Sequence, residues 1–127
     1  MEYGYKRKIQ LPFVKTVERV RSEIEKEGLG VLTEIDVKAT LKKKLGVDHE
    51  NYLILGVCNP TLALKALKAE KDVGLIMPCN VIVYEENGNV YVSAMLPTAA
   101  MSMIDNPSLA DIAETAEKKL KTVIDNV

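Results

Sequence analysis

The segment Glu86-Asn87-Gly88-Asn89 constrains the fold more than any other part of this sequence. Asn-Gly readily supplies the positive φ angles of a type I′ turn, which joins two antiparallel strands. The stretches on either side, residues 74–85 and 90–96, are rich in apolar and β-branched residues and have the length of strands. The sequence therefore predicts a β-hairpin, and with it a sheet that contains at least one antiparallel pair.

The rest of the chain alternates between strand and helix patterns. Three further strands are predicted, at residues 3–11, 30–35 and 51–58. Helices are predicted at residues 12–27, 37–45 and 60–69, as a short turn at 97–103, and through an amphipathic stretch at 109–123. Asn59-Pro60 and Asn106-Pro107 are typical helix starts, because Asn caps a helix and Pro suits its first turn. Residues 1–127 are thus predicted to form one α+β domain, with helices layered on one face of a five-stranded sheet.

Composition excludes several classes of protein. The chain has a net charge of -1, so no overall field attracts a nucleic acid or an anionic membrane. No apolar run approaches the ~20 residues that span a bilayer, and the start of the chain lacks the apolar segment of a signal peptide. Two cysteines without an export signal indicate reduced thiols, and we expect a cytoplasmic protein.

Recognised catalytic motifs are absent. The sequence contains no Walker loop, no GxGxxG, no GxSxG and no HExxH. The single histidine, His49, lies in a polar stretch that is typical of a loop, and nothing in the sequence brings it to a nucleophile. A binding role is therefore favoured over catalysis, and no cofactor is required.

The two cysteines are the best candidates for chemistry. Cys58 ends a predicted strand just before the helix that begins at Pro60, where the positive end of a helix lowers a thiol pKa. Cys79 follows a proline in another predicted strand, and the thiols could face each other if the two strands are neighbours. Such a pair could bind zinc or copper, form a reversible disulfide, or carry a sulfur adduct. Packing as small buried side chains is the commoner role of free cysteine and stays open.

Several polar neighbours could support such a site. Asn59, Pro78 and Asn80 flank the cysteines directly. Asp36 and Lys44, eight positions apart on or beside one short helix, could orient a polar ligand, although a simple helix cap explains Asp36 equally well.

The methionines are also soft donors. Met95, Met101 and Met103 lie close together in sequence, whereas Met77 lies apart. Thioethers bind Cu(I), yet methionine at this spacing more often fills a core.

Several runs resemble the uncharacterised family catalogued as domain of unknown function 302. They include residues 28–37, 54–60 and 75–83, together with Pro12-Phe13 and Lys44-Leu45-Gly46, and the resemblance covers essentially the whole chain. It implies a fold similar to the TATA-binding-protein-like class, with a curved, largely antiparallel sheet, and it implies a homodimer. It also raises Cys58 and Cys79 as a paired site, because the family pattern carries both. It supplies no reaction.

Three hypotheses follow from the sequence. The first is a non-enzymatic binding protein whose two cysteines hold a soft metal, a redox group or a sulfur adduct. The second is a homodimeric interaction module in which the cysteines only pack. The third is a small enzyme that uses a Cys58 thiolate, with Asp36 and Lys44 as polar helpers.

Overall fold

The predicted hairpin forms the middle of a five-stranded sheet in a computed structural model that describes residues 2–127. Asn87 and Gly88 have φ angles of 51° and 81°, the positive values that a type I′ turn requires. The strands lie in the order β1-β5-β4-β3-β2, and every neighbouring pair is antiparallel. Their bounds are β1 Gly4–Ile9, β2 Gly30–Asp36, β3 Tyr52–Cys58, β4 Cys79–Glu86 and β5 Asn89–Met95.

Within residues 2–127, five α-helices connect or follow the strands. They are α1 Phe13–Lys26, α2 Val37–Leu45, α3 Pro60–Ala69, α4 Pro97–Met101 and α5 Ser108–Asn126. Local signals place their ends: the Asp36 side chain accepts a hydrogen bond from the Ala39 amide and caps α2, which ends at Gly46 with φ 65°. Most of the predicted helices and strands are thus confirmed to within a few residues.

One face of the sheet carries the main core. Helix α1 packs against β4, helix α5 packs against β1 and β5, and the two helices contact each other. Alternate residues of the central strands are buried beneath them, because side chains in a strand point to opposite faces in turn. The fully buried members of this layer include Val20, Ile24, Leu55, Val81, Val83, Val92, Val123 and Ile124.

The predicted strand at residues 74–85 is wrong in its first part. Residues Lys71–Ile76 form a 3-10 helix, and β4 begins only at Cys79. β4 lies between β3 and β5, so each of its residues needs an amide to complete the ladders, and Pro78 has none. Pro78 therefore lies in the bend before the strand instead of inside it.

The opposite face of the sheet carries two rows of aligned side chains. One row runs Tyr91–Tyr84–Tyr52 across β5, β4 and β3, with ring centroids 5.3 and 5.4 Å apart. The second runs Ile82–Ile54–Ile35 across β4, β3 and β2. We call this surface the open face.

These features define one α+β domain built on an open antiparallel sheet with helices. The topology is compatible with the TATA-binding-protein-like class that the resemblance implies. Among residues 2–127, no helix has both the length and the apolar character needed to cross a membrane.

Candidate functional site

The two cysteines lie on neighbouring strands at one end of the sheet. Val57 of β3 lies directly opposite Cys79 of β4, and Cys58 is the next residue of β3. Both thiols are free and partly buried. The sequence prediction that the two cysteine motifs occupy adjacent strands therefore agrees with the observed register.

Asn59 fixes the chain where β3 passes into α3. Its side-chain oxygen accepts a hydrogen bond from the Leu62 amide at 3.0 Å, which caps α3. Its side-chain nitrogen donates to the Gly28 carbonyl at 3.1 Å, just beyond the end of α1. This one side chain therefore links the segment that follows Cys58 to the chain just beyond the end of α1.

Both thiols border a single small apolar pocket of about 50 Å³. Its walls come from the ends of β3 and β4, from α3, α4 and α5, and from the loops beside them. The lining residues are Leu29, Val57, Cys58, Asn59, Leu62, Ala63, Ala66, Met77, Pro78, Cys79, Met101, Ile112, Ala116 and Leu120. Because about 10–15 Å³ of such space is enough for one water molecule, this pocket suits an ion or a small group of a few atoms.

The thiols are held in their protonated form. Burial raises the pKa of Cys58, and burial together with the neighbouring Cys58 raises the pKa of Cys79 to about 11. The expectation that the start of α3 lowers the pKa of Cys58 is therefore wrong. Pro60 has no amide hydrogen to offer and Asn59 already accepts from the Leu62 amide, so little of the positive helix end is left for the thiol.

The predicted supporting residues divide into two groups. Asn59 and Pro78 line the thiol pocket with the cysteines. Asn80 lines a separate groove on the open face. Asp36 is occupied as the cap of α2, and neither it nor Lys44 borders the thiol pocket, so the structure does not bring them to the cysteines.

The structure places two methionines at the site that were not predicted there from the sequence. Met77 and Met101 both line the thiol pocket. Met95 instead lines the groove on the open face, and Met103 is 74% exposed. Met77 and Met101, which are far apart in the sequence, therefore lie at the same pocket in the fold. The position of Met77 two residues before Cys79 was the one available signal.

Nitrogen and oxygen donors are scarce around the thiols. Within residues 2–127, no three or more His, Cys, Asp or Glu side chains are grouped so that they could hold a metal ion. Asn59 is the one pocket-lining side chain with oxygen or nitrogen, and both of its polar atoms are already hydrogen-bonded. The donors that remain are the sulfur atoms of two cysteines and two methionines.

A second, wider concavity lies on the open face. It has a volume of about 510 Å³ and is bordered by Lys6, His49, Tyr52, Tyr84 and other residues of this face. The ammonium group of Lys6 lies 5.5 Å from the centre of the Tyr84 ring. His49 is exposed in its loop and its Nδ1 lies 2.7 Å from the Glu50 carbonyl oxygen, so the single histidine belongs to this face and not to the thiol pocket.

Comparison with known proteins places the chain in a family. No curated protein matches it. The chain is similar to a crystal structure of uncharacterized conserved protein DUF302 from Bacillus stearothermophilus, with 33% sequence identity and a TM-score of 0.92, over 99% of this chain and 98% of that one. Residues 5–127 match the sequence profile of Domain of unknown function DUF302. The chain, whose strand register brings the two cysteine motifs together, therefore belongs to the DUF302 family.

Proposed function

We propose that this protein is a non-enzymatic binding protein that holds one soft metal ion between Cys58 and Cys79. The observation that carries the proposal is that both thiols border one apolar pocket of about 50 Å³. Thiolate sulfur is a soft ligand, and soft ligands select soft metal ions.

The size of the pocket argues against an organic substrate. Pockets that bind drug-sized molecules have volumes of roughly 300–1,000 Å³, whereas the thiol pocket has about 50 Å³. A single ion can enter such a space without displacing the apolar side chains around it.

The ionisation of the thiols argues against the enzyme hypothesis. A cysteine nucleophile needs a depressed pKa or a nearby base. Burial raises the pKa of Cys58 instead. No His, Asp, Glu or Lys side chain lines the pocket, and the single histidine borders the other groove.

Binding is coupled to proton release. Each thiol loses its proton to solvent as its sulfur joins the metal, so one metal ion and two thiols give a metal bis-thiolate and two protons. Because burial raises the pKa of both Cys58 and Cys79, protons compete with the metal throughout the neutral range. We expect the affinity to rise by about 100-fold per pH unit between pH 6 and pH 8.

The test is metal titration of the reduced protein under anaerobic conditions, read by native mass spectrometry and by competition with a coloured chelator. Cu(I) and Zn(II) are added separately to the wild type, to Cys58→Ser and to Cys79→Ser, with His49→Gln as the control for adventitious binding. We expect one ion per chain in the wild type and in His49→Gln, and none in either cysteine variant. Unchanged binding in the cysteine variants, or a wild type that binds neither metal, would overturn the proposal. The protein is also weighed before any reductant is added, and a mass increase that remains after chelation and is removed by a reductant would favour a sulfur adduct instead.

The open face favours a second candidate function, an interaction module that pairs with another copy of this chain. Five of the six side chains in its tyrosine and isoleucine rows are partly buried and Ile35 is exposed, whereas α1 and α5 pack on the other face. Lys6, Glu50 and Glu86 all border the groove on this face, so basic and acidic groups lie together there. A two-fold axis through the face would bring the groove of one copy, with both signs of charge, against the same groove of the other.

Light scattering at micromolar concentration tests this second function. We expect a dimer in the wild type and a monomer in Ile82→Glu, which places a charge in the isoleucine row. Leu75→Glu is the matched control, because Leu75 is 87% exposed on the 3-10 helix and lies outside the open face. A monomeric wild type, or a dimer that survives in Ile82→Glu, would remove the interaction module from consideration.

A further inference from the structure

We infer that the thioethers of Met77 and Met101 complete the thiol site and make it specific for monovalent copper. The inference rests on the proposed function and deepens it, because it assigns two more ligands and names the ion. Both methionines border the same pocket as Cys58 and Cys79. They arrive from different parts of the chain, Met77 from the bend before β4 and Met101 from the end of α4.

Packing holds these two methionines at the pocket. Both contact a small buried cluster formed by Ala66, Val73 and Leu109, which is separate from the main core. Each is partly buried, so neither is a free surface side chain. A methionine has three flexible torsions, and its sulfur can therefore turn towards an ion in the pocket without movement of the backbone.

The donor chemistry selects the ion. Zinc in proteins is bound by cysteine, histidine and carboxylate ligands, usually four in a tetrahedron. This pocket offers two cysteines and no third ligand of those types. Thioether sulfur is a soft ligand that suits Cu(I) and is not a usual ligand of Zn(II), so a set of two thiolates and two thioethers favours Cu(I) over Zn(II).

The apolar walls favour the same ion. The amide of Asn59 is the one hard donor at the pocket, and its hydrogen bonds to Leu62 and Gly28 occupy both polar atoms. A hard cation would have to bring its own water into a space of about 50 Å³. Cu(I) needs no water ligand once sulfur atoms surround it.

The test replaces each pocket methionine by leucine, which keeps the size and apolar character of the side chain. Met77→Leu and Met101→Leu are compared with Met95→Leu and Met103→Leu, whose sulfurs lie outside the pocket. Chelator competition under anaerobic conditions gives the Cu(I) affinity, and thermal unfolding of the metal-free variants verifies that each is folded. X-ray absorption at copper counts the sulfur atoms around the ion.

We expect each pocket variant to lose Cu(I) affinity by at least about tenfold, the lower end of what loss of even an outer-shell partner of a metal costs. The control variants should stay within about twofold of the wild type. X-ray absorption should detect only sulfur around copper, with fewer sulfur scatterers in Met101→Leu than in the wild type.

The outcomes separate this inference from the function beneath it. If either pocket variant binds Cu(I) as tightly as the wild type while Cys58→Ser and Cys79→Ser do not bind it, that methionine is not a ligand and the thiol site stands. If the cysteine variants still bind copper, the proposed function itself fails. Zn(II) bound more tightly than Cu(I) would overturn the assignment of the ion.

Discussion

The ionisation of Cys79 gives a stability prediction that needs no ligand. Its thiol has a pKa of about 11 in the folded chain, raised from 9.0 by burial and by the neighbouring Cys58. A group whose pKa is raised by folding stabilises the fold in its protonated form. That contribution is complete below about pH 9 and is lost as the pH rises through about 11.

The magnitude follows from the two pKa values. A difference of two units corresponds to about 2.7 kcal/mol once both states are ionised. Between pH 8 and pH 10 the loss is about 1.3 kcal/mol, and it reaches about 2.3 kcal/mol at pH 11. Other groups titrate in this range, so the quantity to follow is the difference between the wild type and Cys79→Ala.

Urea unfolding of the reduced protein at half-unit steps from pH 8 to pH 10.5 measures this difference. Cys79→Ala loses some packing at every pH, but it lacks the titrating thiol. The stability advantage of the wild type should therefore shrink by about 1.3 kcal/mol between pH 8 and pH 10. In Cys58→Ala, the pKa of Cys79 should be raised less, because the variant lacks the Cys58 charge that contributes to the shift. The part of the pH-dependent loss of stability that comes from Cys79 should therefore be smaller. An advantage that stays constant with pH would refute the claim that Cys79 is buried and coupled to Cys58.

Three further predictions concern the frame around the pocket. A Cβ at Gly56 would overlap Thr33 Oγ1 and lie 2.8 Å from Pro78 Cγ. Gly56→Ala should therefore lower the free energy of unfolding by about 1–3 kcal/mol, as measured by urea unfolding. Adding Thr33→Ala to this variant should recover part of the loss. Asn59→Ala should cost about 0.5–2 kcal/mol in the same assay through loss of the α3 cap, and a neutral result would contradict that role. Arg7 donates to two carbonyls of the last turn of α5 at 2.7 and 2.8 Å; Arg7→Met should speed amide hydrogen exchange there, and unchanged exchange would exclude Arg7 as its anchor.

Local signals explain why so many elements could be predicted from the sequence. The Asn87-Gly88 turn and the Asp36 cap act within a few residues, so the sequence alone contains the information. The strand predicted from residue 74 is wrong up to residue 78, because the apolar residues there resemble a strand although burial around them does not alternate as it does in one. Val73 is fully buried against α3 and α5, and Leu75 is 87% exposed. Tertiary packing determines the conformation of that segment, and the pattern of apolar residues in the sequence does not reveal this packing.

The candidate site also combines residues that local sequence signals could place with residues that only tertiary packing places. Cys58 and Cys79 could be paired in advance, because each lies at the end of an element whose neighbours were visible in the sequence. Met101 could not, because it reaches the pocket through the packing of α4 against α5, 22 residues beyond Cys79 in the chain. On our proposal, the pairing of the thiols and the choice of metal therefore have different origins in this fold. A chain with both cysteine motifs and leucine at positions 77 and 101 would keep the thiol pair and, on our proposal, lose its preference for copper.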